Sequence, residues 1–352
     1  MAYIDDSPFG KKVSKLVWGS EEGNHIVDLS LYYEHLVDFL PETIVDAHVH
    51  MWKPDSLKEP IAPERHSDTM LEVVDGFTAQ DLHYVYENLL PEKRVRAVCF
   101  GLAAFEADAC NVNALVASQT QNVAARLLIP PPGASSDELK QAARKGGFAG
   151  LKPYPERAEK WAGARNEVEI EDFVTEAQWQ AAHECGLVIL LHLPRTGGIG
   201  DPVNAEALDR LLGHYAGARV ILAHLGLAPS AEELSTRLQQ LRHHRNLFVD
   251  TALVCDGESV AIALETMGPS RVLFGTDLPF ALVRGRRVYR EGRKQLLTWE
   301  SYRFGLATGE RYSHLMYESL KAIKEAALEV RLTKSEVSAI FNDNARAAFG
   351  AA

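Results

Sequence analysis

The chain has 352 residues, 46% of them hydrophobic, 24% charged and 8% aromatic, which is ample apolar content for a sizeable core. Its 37 Lys and Arg stand against 48 Asp and Glu, a formal net charge of −11. This composition excludes a disordered chain and a fibrous repeat. It also lacks the dense basic face that holds a phosphate backbone, so no nucleic-acid partner is expected.

Residues 1–41 precede the first strand signal and contain a helical stretch, LSLYYEHLVDFLP, expected to cover the bottom or flank of the fold. The first apolar run, ETIVDAHVH (42–50), is followed by a long connection, 51–85, rich in Pro and charge, which reads as a lid. Seven more runs follow: RVRAVCFGL (94–102), AARLLIP (124–130), GFAGLKPYP (147–155), GLVILLHLP (186–194), ARVILAHLG (218–226), NLFVDTAL (246–253) and RVLFGTDLP (271–279). They are nearly continuous in hydrophobicity instead of alternating, as parallel strands buried on both faces are. Stretches with helical spacing lie between them, such as DELKQAARKG, EDFVTEAQWQAAHECG and AEELSTRLQQLRHHRN. After the eighth run come RGRRVYREGRK and a further helical stretch, HLMYESLKAIKEAALEVR.

Strand starts recur every ~25 to 50 residues, the room a right-handed βαβ unit needs. Eight units imply an α/β fold, a distorted (β/α)₈ TIM barrel with an N-terminal extension and long loops after strands one and eight. The alternative, an open doubly wound sheet, usually has a Gly-rich turn after its first strand, where this chain has DAHVH. The economical division is a single domain, 1–352, with 1–41 as extension and 42–350 as barrel with insertions. Four scattered cysteines (Cys99, Cys110, Cys185, Cys255) without a C-x-x-C pair read as reduced thiols. No stretch reaches the ~18 apolar residues that span a bilayer, and the N-terminus lacks a basic region followed by an apolar run. A cytoplasmic protein without a membrane partner is the expectation.

A barrel builds its site at the C-terminal ends of its strands, so polar residues ending apolar runs carry meaning. Asp46, His48 and His50 end the first run, His192 the fifth, His224 the sixth and Asp277 the eighth. His48 and His50, two apart on a strand, point the same way and can share one metal. Neutral imidazoles with a carboxylate suit Zn²⁺ or a related divalent ion, with Mn²⁺ the alternative, and an open position there makes bound water acidic. A purely structural explanation would have to bury these polar groups without partners, at several kcal/mol.

The ordered series DAHVH, GLKPYP, LLHLP, ILAHLG and FGTDLP, closing with NDNARAAFG, resembles the amidohydrolase superfamily, and within it the amidohydrolase-2 branch of metal-dependent hydrolases and decarboxylases. The resemblance implies that His48, His50, His192 and Asp277 hold one metal, that Asp277 also takes a proton from water, and that His224 polarises or positions substrate. It leaves His224 open as a further ligand. Lys152 stands near the place of a metal-bridging lysine in some members; here it reads as a substrate contact or a neighbour of the ligands, or else as a rim lysine. Asp46 is expected to hold a neighbouring ligand by hydrogen bonding. Arg195 is the leading substrate cation, suited to a carboxylate, while Tyr154 and Trp52 are expected to wall the pocket. Arg284, Arg286 and Arg287 read as a solvated loop or an oligomer contact. His183, His214, His243 and His244 are expected at the surface, and His66 and His83 in the long first loop carry no assignment.

The resulting expectation is a metal-dependent hydrolase of an ester, lactone or amide in a small carboxylate-bearing substrate. The alternative is a non-oxidative decarboxylase (a lyase) of an aromatic or unsaturated acid, and a hydratase fits the same residues. A non-catalytic metal-binding barrel would instead show a closed coordination sphere. A homodimer fits the resemblance.

Overall fold

The computed structural model describes residues 11–19, 24–59, 70–102, 104, 106–158, 165–290 and 293–350. Eight parallel strands run in chain order around one sheet: β1 (Thr43–His50), β2 (Arg94–Phe100), β3 (Val123–Leu128), β4 (Gly150–Leu151), β5 (Val188–Leu191), β6 (Arg219–Leu222), β7 (Leu247–Asp250) and β8 (Val272–Leu273). The ring closes between β8 and β1. Ala47 N–H donates to the Phe274 carbonyl, His50 N–H to Leu278 and Asp277 N–H to His48, each at 2.9 Å. The fold is the distorted (β/α)₈ barrel that the apolar runs imply. β4 and β8 are shorter than their runs because the last residues of each run leave the ladder for the loops of the site.

Local chemistry sets the helices. The helix Ser136–Gly146 starts at Ser135, whose hydroxyl accepts from Glu138 N–H, and stops at Gly147, which takes a left-handed φ of 64°. The stretch EDFVTEAQWQAAHECG divides into two helices, Ile170–Phe173 and Glu176–Cys185.

Two apolar layers result. Outside the strands, residues such as Ile44, Val49, Val95 and Val220 pack against the helices, whereas Val45, Ala47, Val98, Phe100, Val188, Leu190 and Ile221 fill the barrel. The helix Asn344–Phe349 contributes Ala345, Ala348 and Phe349 to that interior layer and so floors the barrel, with the Arg219 guanidinium donating to the carbonyls of Ala347 and Ala348. β1 breaks its alternation: its register against β2 shifts between Asp46 and Val49. The extra residue lets Val45 and Ala47 point inward and then His48 and His50 as well, both with their rings on interior Phe100.

The long first connection is anchored by Trp52, whose main chain pairs with Phe77 at 2.9 Å in both directions and whose indole N–H donates to the Asp75 carbonyl at 2.9 Å. It leads into the helix Ala79–Leu89, on which His83 is half-buried; His66 lies outside the described residues. The N-terminal extension covers the flank of the barrel: the Tyr32 hydroxyl donates to the Pro91 carbonyl at 2.6 Å, and its ring lies 6.2 Å from Tyr317 in the helix Leu315–Glu329.

The RGRR segment departs from expectation. It enters a small sheet of β9 (Gly285–Arg290), β10 (Arg293–Thr298) and β11 (Leu306–Ala307). Arg284, read from sequence as part of a solvated loop, is buried. Its guanidinium pairs with Asp28 at 2.5 Å and reaches His314 and the Val17 carbonyl, both at 3.2 Å, because it ties the N-terminal extension to the segment after β8. Arg286 is exposed and Arg287 half-buried. Among the described residues, no helix is long and apolar enough to cross a membrane.

Candidate metal centre

The C-terminal ends of β1, β7 and β8 bring His48, His50, Asp250 and Asp277 together, all buried. Asp277 Oδ1 lies 3.1 Å from His50 Nε2 and 3.3 Å from His48 Nε2. His48, His50 and Asp277 each offer a donor atom within 4.8 Å of the other two.

The far side of each ring fixes its tautomer. His48 Nδ1 stands 2.8 Å from Asp250 Oδ2, and His50 Nδ1 stands 3.2 Å from the Gly101 carbonyl. Both rings therefore carry their proton on Nδ1. Their Nε2 lone pairs then face a carboxylate oxygen with no proton between, an arrangement that a divalent cation satisfies and that two imidazoles and a carboxylate are suited to bind. Burial pushes the pKa of both histidines down, which keeps them neutral and able to ligate.

Sequence reasoning missed Asp250. It ends the seventh apolar run, NLFVDTAL, and the strand-end rule that singled out the other residues would have found it. Its Oδ2 holds His48, and its Oδ1 accepts from the main-chain N–H of His224 at 2.8 Å and of Ala252 at 3.1 Å. That last pair supports an unusual turn. His224, Leu225 and Gly226 all take left-handed φ values, 56°, 52° and 75°, costly for the two non-glycine residues. The turn is backed by Gly198, at φ +52°, where a Cβ would lie 2.4 Å from the carbonyl oxygens of Gly226 and Leu227.

His224 joins the cluster, its ring centroid 5.0 Å from His48. Its Nδ1 lies 2.8 Å from the Ala252 carbonyl, so the proton sits there and Nε2 faces away as an acceptor. Burial lowers its pKa to about 4. His192 is half-buried beside it, ring centroids 5.4 Å apart, and is not one of the three converging donors.

Asp46 points to the outer side of β1. It accepts from the amide of His48 at 3.1 Å, from the amide and hydroxyl of Thr276 at 2.9 and 2.5 Å, and from the Tyr86 hydroxyl at 2.9 Å. It thus holds the main chain of a site histidine, while Asp250 holds that histidine's ring. Burial raises the Asp46 pKa to about 7.

Tyr154 lies against the site, its hydroxyl 3.3 Å from His50 Nδ1. Lys152, the residue after β4, is 1% exposed with its ammonium 5.0 Å from the centre of the Phe100 ring and 5.1 Å from that of Tyr154. Burial pushes its pKa down to about 8, against the pull of Asp250, Asp277 and Glu156. Arg195 is committed elsewhere: its Nε pairs with Asp201 at 2.8 Å and its guanidinium reaches the Asn166 carbonyl. Trp52 is wholly buried in the outer layer, where it pins the first loop. His183, His214 and His243 are exposed and His244 half-buried.

The fold is similar to that of several solved structures. An amidohydrolase from Burkholderia multivorans matches with a TM-score of 0.59 at 14% identity, covering 88% of this chain and 100% of that one. Amidohydrolase 2 from Bifidobacterium longum subsp. infantis matches at 0.54 and 18% identity over 89% and 100% of the two chains. The 5-carboxyvanillate decarboxylase of Sphingomonas paucimobilis matches at 0.52 and 13% identity over 89% and 100%. At such identities the likeness is one of fold. No curated protein matches the chain. The amidohydrolase family model (Amidohydro_2) matches residues 45–351, from the middle of β1 past the flooring helix. With strand-end histidines, a closing aspartate and a family match over nearly the whole barrel, the chain belongs to the amidohydrolase superfamily, in its amidohydrolase-2 branch.

Proposed function

We propose that this protein is a metal-dependent hydrolase that cleaves an ester, lactone or amide bond in a small molecule. The observation that carries the reading is the convergence of His48 Nε2, His50 Nε2 and Asp277 Oδ1 in a buried cluster, each histidine oriented by a fixed acceptor. In this reading His48, His50 and Asp277 hold the ion, and His192 supplies a further donor. Zn²⁺ is the first choice and Mn²⁺ the second; one crystal form of the Burkholderia multivorans amidohydrolase contains zinc. A divalent ion bound there supplies Lewis acidity toward a carbonyl and lowers the pKa of water.

The chain's own groups do the remainder. Asp277 would hold the ion through Oδ1, and its other oxygen would accept the proton of the attacking water, a transfer that needs the acidity a divalent ion would lend that water. His224, neutral and with its proton committed to the Ala252 carbonyl, accepts a hydrogen bond at Nε2 and so positions the water or a substrate hydroxyl. Phe100 and Tyr154, both buried, pack their rings against the histidines.

The test is elemental analysis and turnover of wild type, His48→Ala and Asp277→Asn, screened on lactones, esters and amides. His48→Ala is expected to lose both metal and activity with its far-ultraviolet circular dichroism unchanged; full retention of metal would refute the ligand assignment. Asp277→Asn is expected to lose turnover by about 10²–10⁴-fold. The same fold serves the Sphingomonas paucimobilis decarboxylase, so decarboxylation of aromatic or unsaturated acids is the second reading. Carbon dioxide release without water consumption would select it over hydrolysis.

A further inference from the structure

Two histidines to which the sequence gives no function, His243 and His244, meet Asp209 well away from the buried centre. They sit in the turn between the helix Ala231–Leu241 and β7, at the end where β7 enters the barrel, whereas the centre lies where the strands leave it. Asp209 comes from the helix Pro202–His214, one β/α unit earlier. The two consecutive rings share one side of the chain, with centroids 4.0 Å apart and 38° between their planes. The Arg271 guanidinium holds the turn in this shape by donating to the carbonyls of Arg242 and His244 at 3.1 and 3.0 Å.

The imidazoles converge on one carboxylate oxygen. His244 Nε2 lies 2.8 Å and His243 Nε2 3.6 Å from Asp209 Oδ1, and each of the three residues offers a donor atom within 4.8 Å of the other two. His243 Nδ1 stands 2.8 Å from the Gln240 carbonyl, which fixes its proton there, so the Nε2 lone pair faces the carboxylate with no proton between. His244 donates from Nε2 to Asp209; with that proton on Nδ1 instead, it presents a second lone pair to the same point. A tetrahedral ion held at ~2.0–2.1 Å spaces its donors ~3.3–3.4 Å apart, which both observed separations approach to within roughly half an ångström. The His244 side chain is 10% exposed and those of His243 and Asp209 are 64% and 57% exposed, so the remaining coordination positions are open to water.

The donor set chooses the ion. Two imidazoles and one carboxylate lack the several oxygen donors that Mg²⁺ and Ca²⁺ require, and suit a late first-row ion that gains mainly from nitrogen. We infer that Asp209, His243 and His244 form an accessory site for such a divalent ion, Zn²⁺ first, which clamps the helix Pro202–His214 to the turn that leads into β7. The site is independent of the buried centre and of the reaction proposed there. Its donors stand largely in water, and Arg242, Arg245 and Arg271 place positive charge nearby, so it is weaker than the centre and fills only when ion is supplied in excess.

The experiment titrates Zn²⁺ by calorimetry, in buffer containing Mg²⁺, into purified wild type, His48→Ala, His243→Ala and Asp209→Asn. Wild type should show a Zn²⁺-binding step that His243→Ala and Asp209→Asn lack and that His48→Ala keeps. Both surface substitutions alter exposed side chains, so their circular dichroism should match wild type, and Asp209→Glu, which keeps a carboxylate, should recover part of the step. Equal Zn²⁺ uptake by wild type, His243→Ala and Asp209→Asn would overturn the inference, as would the absence of the step from wild type in the presence of Mg²⁺. Failure of the buried centre reads differently: His48→Ala would then hold as much metal as wild type, while His243→Ala still fell short of both.

Discussion

Asp250 controls the site without being one of its three converging donors. Its carboxylate sets which nitrogen of His48 carries the proton and anchors the amide of His224, so one side chain orients two histidines of the cluster. Asp250→Asn keeps the shape but can present an amide N–H to His48 Nδ1, which favours the wrong tautomer. Metal affinity is expected to fall by about 10–100-fold, read by competition with a chromophoric chelator; affinity equal to wild type would show that His48 needs no such partner. At this scale the sequence was legible where one rule applied. Strand-end position pointed to His48, His50 and Asp277, which converge, and to His224 and His192, which stand beside them without joining the three donors; it would also have pointed to Asp250 had it been applied to the seventh run. It could not show that Arg195 is already taken, because pairing is a property of space: Asp201, six positions on, claims it.

At the scale of elements, the barrel was readable because buried parallel strands impose nearly continuous apolar runs. Other features had no such signature. The register shift in β1 depends on the partner strand, and the sequence DAHVH alternates through it as if nothing happened. The RGRR segment looked like a charged loop because charge alone does not reveal that Asp28, from the other end of the chain, lies within 2.5 Å of Arg284. The left-handed turn at His224–Gly226 likewise relies on a neighbour, Gly198, whose missing side chain makes room for two carbonyl oxygens. Gly198→Ala puts a methyl where those oxygens stand, at a positive φ. A loss of about 1–3 kcal/mol in urea denaturation is expected, together with reduced turnover as His224 moves; a variant with the wild-type urea midpoint would remove Gly198 from the support of this turn.

The whole molecule places its converging donors at opposite ends of the fold's chain order. His50 and Asp277 are 227 positions apart, and Asp46 and Thr276, which lock the same joint, are 230 apart. An ion held by β1 and β8 therefore binds the folded state and not the unfolded chain. At an ion concentration of 100 times Kd the stabilisation amounts to about 2.7 kcal/mol. Removing metal with a chelator should lower the melting temperature of wild type and leave that of His48→Ala where it was. Equal shifts in the two proteins would separate the ion from this centre.

The joint between β1 and β8 also bears on time. The barrel wall is complete only when the eighth strand docks on the first, and contacts so far apart in sequence form slowly, after local helices and neighbouring strand pairs. Two of the three converging donors arrive with β1 and wait for the third. A chain that has collapsed but not closed owns histidines with nothing to share, so the capacity to hold an ion is a late event and marks a barrel that has finished assembling.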